Sequence, residues 1–201
     1  MSETQSRSSA TSLGPRDDGR IGDWLQGHGG SRLYPFDIRP EDFDINVIAH
    51  ALARINRWNG HTREPISVAQ HSFFVSNACH PENALWGLLH DACEAWIGDC
   101  PKPIKVQPFM EPYRQAEARG LAVMCLVYGL HPEMPDDVKA ADDACCATEA
   151  AQLFDRIDPE WFDKWVRDAP KLDIKIRPWS AEHSERMFLA RFHQLQKLRS
   201  Q

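Results

Sequence analysis

Large apolar residues recur at three- and four-residue steps along most of this chain, and no run of alternating strands interrupts them. Val47, Ile48, Ala51, Leu52 and Ile55 share one face of a helix read over Ile45 to Asn56. Ser67 followed by Gln70 makes a capping box: Ser67 caps, and Gln70 reaches back from the third helical position. That opens a helix running to about Cys79, with His71 in its first turns. The next helix starts after Pro81, with Glu82 in its first turn. It runs through Trp86, Leu89 and His90 to Trp96, and Gly98 ends it. A rigid Asp99-Cys100-Pro101-Lys102-Pro103 loop follows, because proline fixes φ and constrains the residue before it. Further helices are read over Pro112 to Tyr128 with Gly129 as the stop, from Pro135 to Phe154, and from Ser180 to about Leu198. Short extended pieces fit Leu33–Phe36 and Ile174–Ile176. The fold class is all-α.

The 201 residues suggest a single domain, long enough to bury a core without staples. Residues 1–20 hold Ser, Thr, Gly, Arg and Asp with almost no large apolar side chain, so a disordered tail is expected there. The folded domain is expected over 21–201. The formal net charge of −6 argues against a nucleic-acid partner, which calls for a basic face. A small anionic substrate would rely on local Lys and Arg. The six cysteines show no CxxC or zinc-finger spacing, and Cys145 beside Cys146 suits no disulfide framework. No signal-peptide pattern is present, and no apolar run nears the roughly 18 residues of a membrane span. A cytoplasmic protein with reduced thiols is expected.

Within this frame stands His90-Asp91, with His71 upstream, Glu94 and Asp99 just downstream, and Asp142 further on. His, His-Asp and Asp donors in that order can enclose one divalent cation, since Zn, Mn, Fe and Co accept imidazole nitrogen and carboxylate oxygen together. The donors must come from facing helices, because neighbouring side chains on one helix diverge. Each residue also has a plainer reading. A lone histidine at a helix start is more often a capping or surface residue. A lone aspartate is usually solvated, and Asp143 rivals Asp142.

The surrounding segments tip the balance. They are Ile55-Asn56-Arg57-Trp58, Ser67-Val68-Ala69-Gln70-His71-Ser72 and Leu89-His90-Asp91-Ala92-Cys93-Glu94-Ala95, then Gly98-Asp99-Cys100-Pro101-Lys102-Pro103-Ile104-Lys105 and Val138-Lys139-Ala140-Ala141-Asp142. In this order the chain resembles the HD superfamily of metal-dependent phosphohydrolases. It is most similar to the small nucleotidase branch, which includes bacterial 5′-deoxynucleotidases and phage dATP triphosphohydrolases. The resemblance covers about Ile21 to Leu195. The chain is far too short for the large dGTP triphosphohydrolase branch.

The resemblance implies an HD-type helical bundle with His71, His90, Asp91 and Asp142 as metal ligands. Asp142 is favoured over Asp143 because it follows Lys139 by three and precedes Glu149 by seven, as in the family pattern. Glu94 takes the acid/base role, and its spacing from His90 sets both on one helix face. Asp99 is implied as a second catalytic or substrate-positioning carboxylate. Arg57 is implied as a phosphate clamp, and Trp58 as a border to sugar and base. The loop carrying His61 falls near the site. Lys102 and Lys105 are candidate phosphate contacts, with a solvent-facing role as the alternative. One divalent ion is implied (Zn, Co, Mn or Fe), with Mg accompanying the substrate as an option. Family relatives form dimers or larger rings, so self-association is expected.

The implied reaction is attack of metal-activated water on phosphorus in a deoxynucleotide. Release of phosphate from a 5′-monophosphate competes with release of triphosphate from a triphosphate. No GxSxG nucleophile and no P-loop lysine after Gly27–Gly30 offers another chemistry. Two alternatives remain: a non-catalytic metal- or nucleotide-binding module, and a hydrolase of cyclic dinucleotides or alarmones. Trp86, Trp96, Trp161 and Trp165 are read as core or interface packing, not as base platforms, and Glu149 as bonding within the bundle.

Overall fold

Helix α2, Val68–Ala78, lies at the centre of the molecule, and its neighbours explain the rest. A computed structural model describes residues 19–166 and 169–201. Its helices are α1 Ile45–Leu52, α2, α3 Ala84–Leu89, α4 Glu94–Ile97, α5 Lys102–Lys105, α6 Glu111–Tyr128, α7 Asp136–Leu153, α8 Pro159–Trp165 and α9 Ala181–Arg199. Helix α2 touches α1, α3, α7 and α9, while α9 also packs on α1 and α3. The core between them includes Ile48, Leu52, Leu88, Leu89, Trp96 and Phe188, all with almost no solvent contact. Such burial is the main stabilising term, at roughly 1.5–3 kcal/mol for each large side chain. The one sheet among the described residues is a two-stranded hairpin, β1 Leu25–Gln26 against β2 Arg32–Leu33. The fold is therefore mostly α, as the periodicity indicates.

The caps follow the sequence signals. Asp44 caps α1, Ser67 caps α2 by accepting from the Gln70 N–H, and Ser180 caps α9. Gly129 closes α6 at φ 59°, a left-handed conformation that costs glycine nothing. Gly87 serves closeness instead. A Cβ there would lie 2.6 Å from Cys79 Sγ and 3.3 Å from Ser76 Cα, so its lack of a side chain lets α3 approach α2.

Four local expectations are corrected. The helix read through His90 to Trp96 breaks: residues 90–93 form turns in which Ala92, Glu94, Ala95 and Trp96 each donate to the carbonyl three residues back. Gln70 completes no capping box. Its side chain donates to Arg177 O and accepts from Trp179 N, at 2.9 and 3.1 Å. Gln152 holds the same extended segment at Ile174 O and Ile176 N, so side-chain amides stand where a partner strand would. The rigid loop after Asp99 turns helical at Lys102. Helix α8 was not expected, although Asp158-Pro159-Glu160 carries its start signal: Asp158 caps and Pro159 opens the first turn.

The tail expectation falls mostly on residues 1–18, which lie outside the described residues. Arg20 belongs with the folded body, since its guanidinium meets the Asp42 carboxylate through two contacts of 2.8 Å. No described helix is long and apolar enough to cross a membrane. All six cysteines are unpaired thiols.

Candidate metal centre and adjoining cavity

The break after α3 brings His90 and Asp91 to one point. The tightened turn sets His90 Nε2 3.1 Å from Asp91 Oδ2, an approach that adjacent residues of a regular helix do not make. From the facing side of α2, His71 Nε2 comes within 3.3 Å of His90 Nε2. From α7, Asp142 Oδ1 lies 3.2 Å from His71 Nε2 and 3.9 Å from His90 Nε2. His71 is fully buried, and Asp142 keeps about a fifth of its side-chain surface (21%) open. Asp143, the rival, turns aside to pair with Lys139. The four candidate ligands thus converge from two helices and one turn.

The partners behind the two imidazoles test whether a cation fits. Gly87 O can only accept, so the 2.8 Å contact from His90 Nδ1 puts a proton there, and in the neutral ring Nε2 keeps its lone pair. Glu149 Oε1 accepts from His71 Nδ1 at 2.8 Å, with the same consequence. With both rings neutral, two lone pairs and two carboxylate oxygens face one another, a repulsive set that a shared cation or a proton relieves. Ligand atoms about 2.0–2.2 Å from a metal lie roughly 3–3.5 Å apart, close to the separations here. The residues fit a divalent ion.

Charges tell the same story. Burial and Arg57 push the His71 pKa down, but Glu149, Cys145 and Asp142 outweigh them and raise it well above the usual imidazole value. The cluster calls for positive charge at that point. Burial likewise opposes ionisation of Asp91 and Asp142, yet the imidazoles of His71 and His90 and the Arg57 guanidinium hold both below the ordinary range.

Glu149 is the residue the sequence undervalued. It is fully buried on α7, two turns after Asp142 and on the same face. It accepts from His71 Nδ1, Arg57 Nε at 2.9 Å, Trp58 Nε1 at 2.9 Å and the Cys145 thiol at 3.5 Å. Burial would raise its pKa, but Arg57 and His71 prevail and hold it down to about 2. The seven-residue spacing from Asp142 is a sequence trace of this role. Cys146 was also missed. It sits one turn after Asp142, donates to Asp142 Oδ1 at 3.4 Å and receives Arg57 Nη2 at 3.1 Å.

Arg57 is only 8% exposed. Its Nε and Nη2 are committed to Glu149 and Cys146, while Nη1 lies 3.6 Å from Asp91 Oδ2. The clamp expected from the sequence therefore retains one edge for a ligand. Trp58 and Asn59 after it hold φ of 57° and 51°, a strained pair for residues with side chains. The strain turns the Trp58 indole back onto Glu149.

Above the histidines opens a cavity of about 560 Å³. Asp91 and Asp142 line it, as do Arg57, Trp58 and His61. Glu94, Asp99, Lys102 and Lys105 complete the expected set. Lys105 pairs with Glu117, and Lys102 Nζ reaches Trp165 O at 3.4 Å. Glu94 is buried at 8% exposure, and its Oε2 has no hydrogen-bond partner. Burial and the charges of Asp91 and Asp99 push its pKa well above the carboxylate norm. Asp99 rises as well, chiefly through burial. An electron-rich floor, a carboxyl beside it whose pKa is raised by burial and neighbouring anions, and basic groups at the rim suit transfer of a proton to an anionic ligand.

No model of a known protein family matches the chain. The uncharacterized protein YfdR of Escherichia coli (strain K12) is 35% identical over 171 residues, spanning 85% of this chain and 94% of YfdR. An uncharacterized protein of Rhodobacter capsulatus is 35% identical over 143 residues, or 65% of this chain and 72% of that protein.

Proposed function

The chain belongs to the YfdR family, and we propose that it is an HD-type metal-dependent phosphohydrolase acting on deoxynucleotides. The observation that carries this reading is the convergence of His71, His90, Asp91 and Asp142 beneath a cavity that also holds Glu94 and Arg57. A divalent cation held there would polarise a phosphoryl oxygen and make water nucleophilic near neutral pH.

The remaining work falls to the chain's own groups. Arg57 Nη1, with Lys102 and Lys105 at the rim, binds the phosphate and sets its phosphorus over the floor. Glu149 keeps Arg57 and His71 in place by occupying their inner edges. Burial and the charges of Asp91 and Asp99 favour the acid form of Glu94, which suits it to protonate the departing oxygen. Asp99, on the same wall, orients the substrate or takes up a proton from water. No covalent intermediate with the protein is needed.

The test is a product assay across the four deoxynucleoside monophosphates and triphosphates. The protein is first stripped with chelator, then restored with Zn, Co, Mn or Fe. Metal-dependent release of phosphate or triphosphate is expected, and the inorganic product identifies which reaction operates. Absence of any product across all arms would overturn the proposal.

A further inference from the structure

The cavity has two unlike halves. One is ionic: Asp91, Asp142, Glu94 and Arg57. The other is aromatic: Trp58, Phe154, Trp161 and Trp165. Cleavage of a phosphoester uses only the first. The second is an ordered surface. Trp58, Phe154 and Trp161 pack mutually, with ring centroids 5.5, 5.9 and 5.8 Å apart. Trp165 lies one turn beyond Trp161 on α8 and lines the same cavity. Among the described residues, what lies over its ring is the Lys164 ammonium, 5.1 Å from the centroid. Its backbone oxygen accepts from Lys102, tying the aromatic wall to the segment that carries Asp99.

We infer that α8 is the base-recognition element of this site: Trp161 and Trp165 present an aromatic wall on which the planar heterocycle of a nucleotide stacks while its phosphate is held by Arg57 and the rim lysines of the same cavity. The inference rests on the phosphoester reading above and adds the second moiety of the ligand. A sugar phosphate or inorganic phosphate would leave this apolar wall facing water. A base covers it, and every base has a π-face, so the wall admits all four. Loss of a base-stacking ring weakens binding by about tenfold or more.

The deciding experiment compares two ligands that share sugar and phosphate. Deoxyadenosine 5′-monophosphate and 2-deoxyribose 5-phosphate are titrated calorimetrically into the full chain in chelator, so that no turnover intrudes. The nucleotide is expected to bind at least about tenfold tighter. Trp165→Ala and Trp161→Ala should each cut that ratio to about threefold or less by weakening the nucleotide alone, and Trp165→Phe should retain it. Trp161→Ala also removes packing against Trp58 and Phe154. If that variant loses its fold, the Trp165 pair decides. Equal affinity of the intact protein for both ligands, or no nucleotide binding at millimolar concentration, overturns the inference. So does an unchanged ratio in the alanine variants. Equal affinity with continued hydrolysis would leave the phosphohydrolase reading standing. A tenfold ratio without hydrolysis in any arm would keep the base wall and remove the catalytic reading.

Discussion

Glu149 and Glu94 are buried glutamates serving the same site, and their surroundings are opposite. Glu149 accepts from an imidazole, a guanidinium, an indole and a thiol. It is held ionised, at about 2. Glu94 has an oxygen with no partner at all, two aspartates nearby and a strongly raised pKa. A buried carboxylate saturated with donors is scaffold. A buried carboxylate left unsatisfied is a cost that a structural role does not explain. Environments that drive two carboxyls apart are how one fold keeps an acid and an anion together.

The sharpest way to break this contrast is to neutralise each side in turn. Glu94→Gln should lower kcat by about 10²–10⁴ while metal content holds, measured by steady-state kinetics and metal analysis. A variant that loses its metal instead would make Glu94 structural. Glu149→Ala should cost about 3–5 kcal/mol in denaturant unfolding, since Arg57 and His71 are left buried without their anion. Glu94→Ala should cost far less by the same measure, and equal losses would erase the distinction.

Acid titration of metal-free protein sharpens it further. The folded-state pKa of Glu149 is depressed, so its contribution is fully present above the unfolded value. It is lost as pH falls from the ordinary glutamate range toward about 2. Glu149→Gln should flatten stability across that window, by something on the order of 3 kcal/mol. Glu94 has the reverse sign and cannot produce that loss. The smallest expected effect is Arg57→Lys. A single ammonium cannot meet Glu149, Cys146 and a phosphate at once, so KM should rise by about tenfold with kcat less affected. An unchanged KM would remove Arg57 from ligand binding.

Much of the fold was legible because helices announce themselves locally. Ser67 and Ser180 cap where their spacing indicates, Gly129 stops α6, and the apolar faces point inward. Sequence signals mislead where a side chain has distant options. Gln70 looked like a capping residue, yet its amide serves residues 177 and 179. Helix α8 was missed although its start is written in Asp158-Pro159. Trp161 and Trp165, read as packing, line the cavity. Nothing in an aromatic residue's spacing tells whether its far side meets protein or open space.

Taken alone, the order of residues determined the helical class, most of the helix ends and the donor types around His90-Asp91. These depend on interactions spanning three or four residues, which a linear reading can see. Only the tertiary structure decided that the helix breaks at His90 and that Glu149 gathers Arg57, Trp58 and His71 from across the fold. It alone left Glu94 Oε2 without a hydrogen-bond partner. Those outcomes are set by what the packing of α2, α3 and α7 leaves within hydrogen-bond reach, and such contacts join residues up to 92 positions apart.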